Sequence, residues 1–424
     1  MADSEELWTL AEGAQPLLWS MIFCFTCLVV VSFPSYFNRW ISISMLVISA
    51  YGAFQTSHNL SPDDTLNEIY TRYILIGSSH ILSMCYQNNG SKEVPNHLDH
   101  KDAKPEWSPW YRGWKLLFNI RGVGTPWEVP YLWPGLKNTW LAPTAPGDSD
   151  QIARPKAVTR HNLIYKGKWT GIVIRCGYLL LNLFLLACYY EYMDGEYFLH
   201  VKPADLTLEK EGILRRLFQT YVGGVQPTTP VTQREFQVRV WQAAENIIGD
   251  FLLLSNYHDF FAIVFIAVGL DESWEWPPFF GQITKAYTMR RFWSMWWHKV
   301  IYRSFSSHAA LMSSTLGIKQ RTTLGRTVNG FLVFGMSAVM HAMVLWKYGN
   351  SCAWGRSMMY WMLQPVAFLV EGIVQSLWAR FTKRLQWLHP AVLGAFEMVV
   401  GFAWVFSWRI WEAPKRTTSL MNCL

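Results

Sequence analysis

One histidine, His341, interrupts the apolar run FLVFGMSAVMHAM at residues 331–343. An ionisable ring is costly in hydrocarbon unless it faces a protein interior or an aqueous cavity, so His341 is a functional candidate. A neutral imidazole has an unperturbed pKa of about 6.5, and burial lowers it further, which suits it to take a proton from a hydroxyl. Upstream, residues 276–300 read WPPFFGQITKAYTMRRFWSMWWHKV, where a second histidine, His298, follows the basic pair Arg290 and Arg291 and the indoles Trp293, Trp296 and Trp297. The arginines could draw a phosphate group or serve as topology signals; both readings stay open.

These two segments together resemble the wax-synthase-like branch of the membrane-bound O-acyltransferases. Trp276, Pro277, Pro278 and Gly281 stand at its WPP…FG positions. Arg291, Phe292, Trp293, Trp297 and His298 fall at its R-FW and W-(H/N) positions, and His341 falls at its histidine in a hydrophobic helix. The likeness is strongest over residues 274–345 and is closest to fungal proteins of biosynthetic clusters. It implies direct transfer of an acetyl group from acetyl-CoA to a hydroxyl of a lipophilic terpenoid or meroterpenoid, at the endoplasmic reticulum. His341 would be the base, and His298 would orient the acyl carbonyl or the base. Arg290, Arg291, Trp293, Trp297 and Glu371 would contact substrate or donor. The co-substrate is acyl-CoA, with no bound cofactor and no metal. A long-chain acyl-CoA:alcohol acyltransferase is the alternative within the family.

Composition sets the class these residues work in. The chain of 424 residues is 51% hydrophobic and only 16% charged, against about 25% charged in ordinary soluble domains. Its 24 tryptophans could belt the interfaces of many helix ends, and Trp296 is assigned to such a belt. No Lys/Arg block points to nucleic acid. Apolar runs at 17–33, 40–54, 73–85, 170–190, 251–270, 327–346, 357–378 and 391–408 predict about eight transmembrane helices. The expected fold is therefore all-α, one polytopic domain over 1–424 around a catalytic tunnel in membrane lipid. With a helix starting at Thr327, His341 lies roughly 21 Å deep.

The loops orient the bundle. Residues 88–168 and 271–326 are rich in Lys and Arg and are expected in the cytosol, with residues 55–72 and both termini on the lumenal side. Arg409, Lys415 and Arg416 count against a lumenal C-terminus. Arg175 is expected to snorkel to the cytosolic face. The stretch at 206–222 has an amphipathic pattern, suited to the interface or to covering the bundle.

The remaining motifs carry weaker signals. Cys24 and Cys27 sit within an apolar run and are read as packing residues, and no disulfide framework is expected. The group His97, Asp99 and His100 is read as solvated. Pro277 and Pro278 set the approach of the signature segment, and Gly281 allows it a tight turn. Arg121, Gly122, Gly124, Trp127 and Glu128 resemble a further family segment, with Thr125 and Pro126 inserted. Glu371 and Glu397 lie in apolar runs and should face the bundle interior. Together with His341 they leave a proton-relay transporter as a reading of another class, which the lack of an internal repeat disfavours.

Overall fold

A computed structural model describes residues 10–33, 39–87, 108–125, 127–132, 167–194, 202–349, 352–383 and 389–421. Among these residues the fold is helical throughout, without strands. The helices used below are α1 (Leu10–Ser32), α2 (Arg39–Thr56), α3 (Asp64–Gln87), α4 (Pro109–Phe118) and α5 (Lys168–Asp194). They continue with α6 (Ile213–Tyr221), α7 (Gln233–Ala244), α8 (Asp250–Ala267), α9 (Tyr302–Thr315), α10 (Thr323–Lys347), α11 (Trp354–Thr382) and α12 (Pro390–Met421). Each of the eight apolar runs read from the sequence is a helix. Six stretches are long and apolar enough to cross a membrane by length and composition: Ala11–Ser32, Lys168–Tyr189, Gln233–Ala267, Thr323–Lys347, Trp354–Thr382 and Pro390–Arg416. Their outer faces carry Val173, Leu180, Phe184, Val392, Phe396 and Val399 exposed, as lipid-facing surfaces do.

The chain forms two compact units. The first takes its described residues from Met1–Pro130 and Lys299–Ser351. In it, α1 packs on α2 and α4, α3 packs on α2 and α9, and α10 packs on α9 and α3. Helix α10 starts four residues earlier than expected because Thr322 caps it, its Oγ1 accepting the Gly325 N–H at 3.0 Å. At its other end Lys347 donates to Gln55 O at 2.9 Å, and the Tyr348 hydroxyl lies 2.7 Å from Thr71 Oγ1 and 3.0 Å from Ser57 Oγ. The close of α10 and residues 55–72 thus share one end of this unit, as the expected alternation of loops requires.

The second unit takes Lys156–His298 and Cys352–Leu424, with Tyr131–Pro134. Helix α5 runs along α8, and Lys168 at the start of α5 donates to Ala267 O at the end of α8 at 2.8 Å. Helices α7 and α8 are joined through one π-helical turn, Glu245–Gly249, so this span begins well before residue 251. Helix α12 packs on α7 and α11.

Three expectations change here, and one open alternative gains support. Arg175 does not snorkel; it is 1% exposed and held inside by an acceptor on α8. Arg409, Lys415 and Arg416 are not free loop charges; they pair with Glu412, Glu211 and Asp250. Cys352, just before α11, is disulfide-bonded, whereas Cys24, Cys27, Cys85, Cys176 and Cys188 are in no disulfide. On the stretch at 206–222, α6 buries Ile213 and Arg216 and turns Leu214, Phe218 and Tyr221 outward, which favours the interfacial placement. His97, Asp99, His100 and most of residues 88–168 lie outside the described residues.

Candidate active site

The signature segment is anchored at its start by a cation drawn out of α5. Arg175 donates from Nη1 to Asp259 Oδ1 at 2.9 Å, and from Nη2 to Trp276 O at 2.5 Å and Ser273 O at 3.4 Å. A guanidinium in an apolar helix demands such partners, and losing one would leave a buried charge. The Trp276 indole N–H also donates to Asp271 Oδ2 at 2.9 Å. From this anchor Pro277 and Pro278 carry the chain to Gly281, whose N–H donates to Trp296 O at 2.7 Å. Here the glycine is needed for close approach, since a Cβ would stand 1.9 Å from Met295 O. Its φ is not in the left-handed region, so the expected tight turn is not the reason for it.

Thr288 then caps a single turn, Met289–Arg291, its Oγ1 accepting the Arg291 N–H at 3.1 Å. The carboxylate of Glu371 on α11 accepts the N–H of Met289 at 2.7 Å and of Arg290 at 3.1 Å. What Glu371 orients is therefore the backbone under the arginine pair, where helix-start N–H groups favour an anion. Arg290 is exposed above the Phe368 ring at 5.6 Å, and Arg291 lies on the Tyr287 ring at 4.4 Å.

Phe292–Trp296 continues as a π-helical turn, closed by the Trp297 N–H donating to Phe292 O at 2.8 Å. Such turns often mark functional sites because the extra residue re-aims side chains. Trp296 and Trp297 are buried with Phe280, Met289 and Phe292. Trp296 is 3% exposed and meets Phe292 at 4.9 Å and Phe280 at 5.7 Å, so it is core and not an interfacial belt. Trp297 rests 5.4 Å from Trp293 and 5.5 Å from His298, holding both in place. His298 is half-buried, with Phe279 at 5.5 Å and Phe280 at 6.0 Å.

Trp293 is fixed by a polar chain that sequence reasoning missed. Its indole N–H donates to Gln364 Oε1 at 3.0 Å, and Gln364 donates to Glu412 Oε2 at 2.6 Å. Arg409 pairs with Glu412, donates to the Tyr360 hydroxyl at 3.0 Å, and lies 5.9 Å from the Trp293 ring centroid. Gln364, Glu412, Tyr360 and Arg409 are all 2% exposed or less. Also missed was His258 on α8, buried beside Asp259 and 5.3 Å from Phe279, the ring that packs on His298. The rule that singled out His341, an ionisable residue inside an apolar run, would have found His258 as well.

The structure thus gathers Arg290, Arg291, Trp293, Trp297, His298 and Glu371 in the second unit. His341 belongs to the first unit, half-buried on α10, about 27 Å along the helix from Thr323. Ser337, one turn before it, is fully buried. Glu397 on α12 is exposed and accepts the Trp378 indole N–H at 2.8 Å, so it does not face the interior.

Residues 276–369, which contain both His298 and His341, match the membrane bound O-acyl transferase family. Over those residues the chain is similar to that family, a likeness that supports acyl transfer and not transport. The chain is similar to acetyltransferase atnC of Arthrinium sp, 24% identical across 94% of this chain and 85% of the relative. Acetyltransferase spyB of Aspergillus fumigatus is 30% identical over 36% of this chain and 27% of its own length. Acetyltransferase pyr8 of the same species is 26% identical over 71% of this chain and 62% of its own. No solved structure matches this chain.

Proposed function

We propose that this chain is a membrane-bound O-acyltransferase that moves an acetyl group from acetyl-CoA to a hydroxyl of a lipophilic acceptor, with residues 1–424 acting as one domain. The observation that carries this reading is the family match spanning both histidines. The acetyl group itself is supported by relatives that are named acetyltransferases, one of them aligned over nearly the whole chain. In the proposed reaction His341 takes the hydroxyl proton as the oxygen attacks the thioester carbonyl. His298 donates to the oxyanion, and free CoA thiolate leaves. No acyl-enzyme is required. The acceptor is a terpenoid or meroterpenoid alcohol, which reaches a base placed inside an apolar span by partitioning from the lipid. The endoplasmic reticulum is the proposed compartment, where an oxidising lumen would suit the disulfide at Cys352.

The test is release of free CoA by microsomes carrying the protein, given radiolabelled acetyl-CoA and a panel of terpenoid alcohols. Label should pass into an organic-soluble ester. Preference for a long-chain acyl-CoA over acetyl-CoA would overturn the acetyl assignment.

A further inference from the structure

His80 on α3 and Arg303 in the first turn of α9 are buried, 1% and 6% exposed, and the reaction proposed above uses neither. His80 Nε2 donates to Leu116 O, in the last turn of α4, at 3.1 Å. A carbonyl only accepts, so Nε2 carries the ring proton and Nδ1 of the neutral ring is an acceptor. Among the described residues nothing donates to that Nδ1, and neither Nη1 nor Nη2 of Arg303 meets an acceptor. The Arg303 guanidinium lies on the Trp127 indole, 3.3 Å from the ring centroid, and its charge acts on the His80 ring. Buried polar groups held this way are costly, and a ligand or water is what completes them.

Both groups stand level with His341. Helices α9 and α10 pack side by side across the turn at 316–322, and Ser313 Oγ donates to Asn329 Oδ1 between them at 2.7 Å. Going away from that turn, Arg303 comes ten residues from Ser313 and His341 twelve from Asn329, roughly 15 and 18 Å along the two helices. Helix α3 keeps the same alignment. It meets the end of α10 where the Thr71 and Tyr348 hydroxyls lie 2.7 Å apart, and runs back to Ser79, whose carbonyl accepts from His308 Nε2 of α9 at 3.1 Å. From that shared end His80 comes nine residues past Thr71 and His341 seven before Tyr348, roughly 14 and 11 Å away. His80, Arg303 and His341 therefore occupy one layer of the α3, α9 and α10 packing, within about one helical turn. Ser337 Oγ, one turn before His341, is buried there too, with no hydrogen-bond partner among the described residues. Every one of these residues belongs to the first compact unit.

We propose that His80 and Arg303 form a subsite for a substrate hydroxyl group, separate from the hydroxyl that reacts at His341. A hydroxyl oxygen accepts from the guanidinium while its O–H donates to Nδ1, so one group satisfies both side chains. A carbonyl would leave Nδ1 unpaired, and a carboxylate or phosphate would set its lone pairs against it. The acceptor alcohol supplies this hydroxyl, which makes it a diol or polyol and not a simple wax alcohol. The hydroxyl of the CoA pantetheine arm offers the same chemistry. The subsite rests on the reading of His341 as the base.

Acetyl transfer by microsomes to mono-ol and diol pairs of one terpenoid skeleton, lupeol and betulin among them, tests this in wild type, His80→Gln and Arg303→Met. His80→Gln keeps an N–H for Leu116 O and removes the Nδ1 acceptor, and Arg303→Met removes a costly buried charge, so both should melt close to wild type in detergent. Wild type should favour the diol in kcat/KM, and each variant should lose about 10- to 100-fold of that preference. An equal loss on mono-ol and diol, or both variants melting far below wild type, would make the pair structural and overturn the subsite. A preference unaltered in both variants would leave the pair holding only water, unless the KM for acetyl-CoA rises, which would assign the hydroxyl to the donor. Wild type that acetylates mono-ols as well as diols overturns the subsite alone. If wild type acetylates no alcohol of the panel, the acyl-transfer reading falls with it.

Discussion

Glu371 accepts the Met289 N–H at 2.7 Å and the Arg290 N–H at 3.1 Å, so a carboxylate on α11 fixes the turn that carries the arginine pair. Replacing it by alanine leaves the buried Met289 N–H unsatisfied, at about 1–3 kcal/mol, and the part-buried Arg290 N–H without this partner. Glu371→Ala should therefore lower both the melting temperature and the activity. Glu371→Gln keeps one acceptor and should be the milder change. Equal activity in Glu371→Ala and wild type would show that the turn holds itself.

For the chemistry, His341→Ala should lower transfer by about 10²- to 10⁴-fold while the protein still accumulates in the membrane. His298→Ala should also be damaging, and His298→Asn less so because the amide keeps a donor. Turnover close to wild type in His341→Ala would remove the proposed base. An asparagine variant as inactive as the alanine variant would instead make His298 the proton acceptor.

Arg290 is exposed, and its backbone N–H donates to Glu371. Arg290→Ala should raise the apparent KM for acetyl-CoA with little change in kcat, as expected for binding made equally in ground and transition states. Arg291→Ala should act in the same direction. A change confined to kcat would place the pair in the reaction or in the fold.

Gly281→Ala sets a Cβ against the Met295 carbonyl at 1.9 Å, where backbone leaves little room to yield. A loss of roughly 3 kcal/mol is expected, seen as poor accumulation and low-temperature melting. A variant that accumulates and melts like wild type would show that the segment can move there.

Burial pushes the Lys299 ammonium down to about 8 from 10.5, helped by Arg121 and opposed by Glu128. The folded chain therefore releases this proton more readily than the unfolded chain. Below about pH 8 the folded state carries the full penalty of the buried charge, and between pH 8 and 10.5 that penalty is relieved as pH rises. Comparing melting across this window, wild type should gain relative to Lys299→Met. Parallel melting curves for the two proteins would show that Lys299 does not titrate there.

The sequence by itself determined the helices, the membrane class and the signature carrying His298 and His341. Those signals are local: each apolar run, helix cap and proline acts within its own stretch of chain. All eight runs became helices, although α10 began at its Thr322 cap and α8 was found to extend back through α7. What only the tertiary structure decided is where each charge and ring in an apolar run goes. Arg175 looked free to reach the surface until Asp259, 84 residues away, appeared beside it. Trp296 looked interfacial until Phe280 and Phe292 enclosed it. Arg409 looked like a loop charge until Glu412, Tyr360 and, through Gln364, Trp293 were seen around it. A buried group is defined by its partners, and Asp259, Tyr360 and Gln364 stand on other helices than the residues they hold, so no single stretch of sequence contains the whole answer.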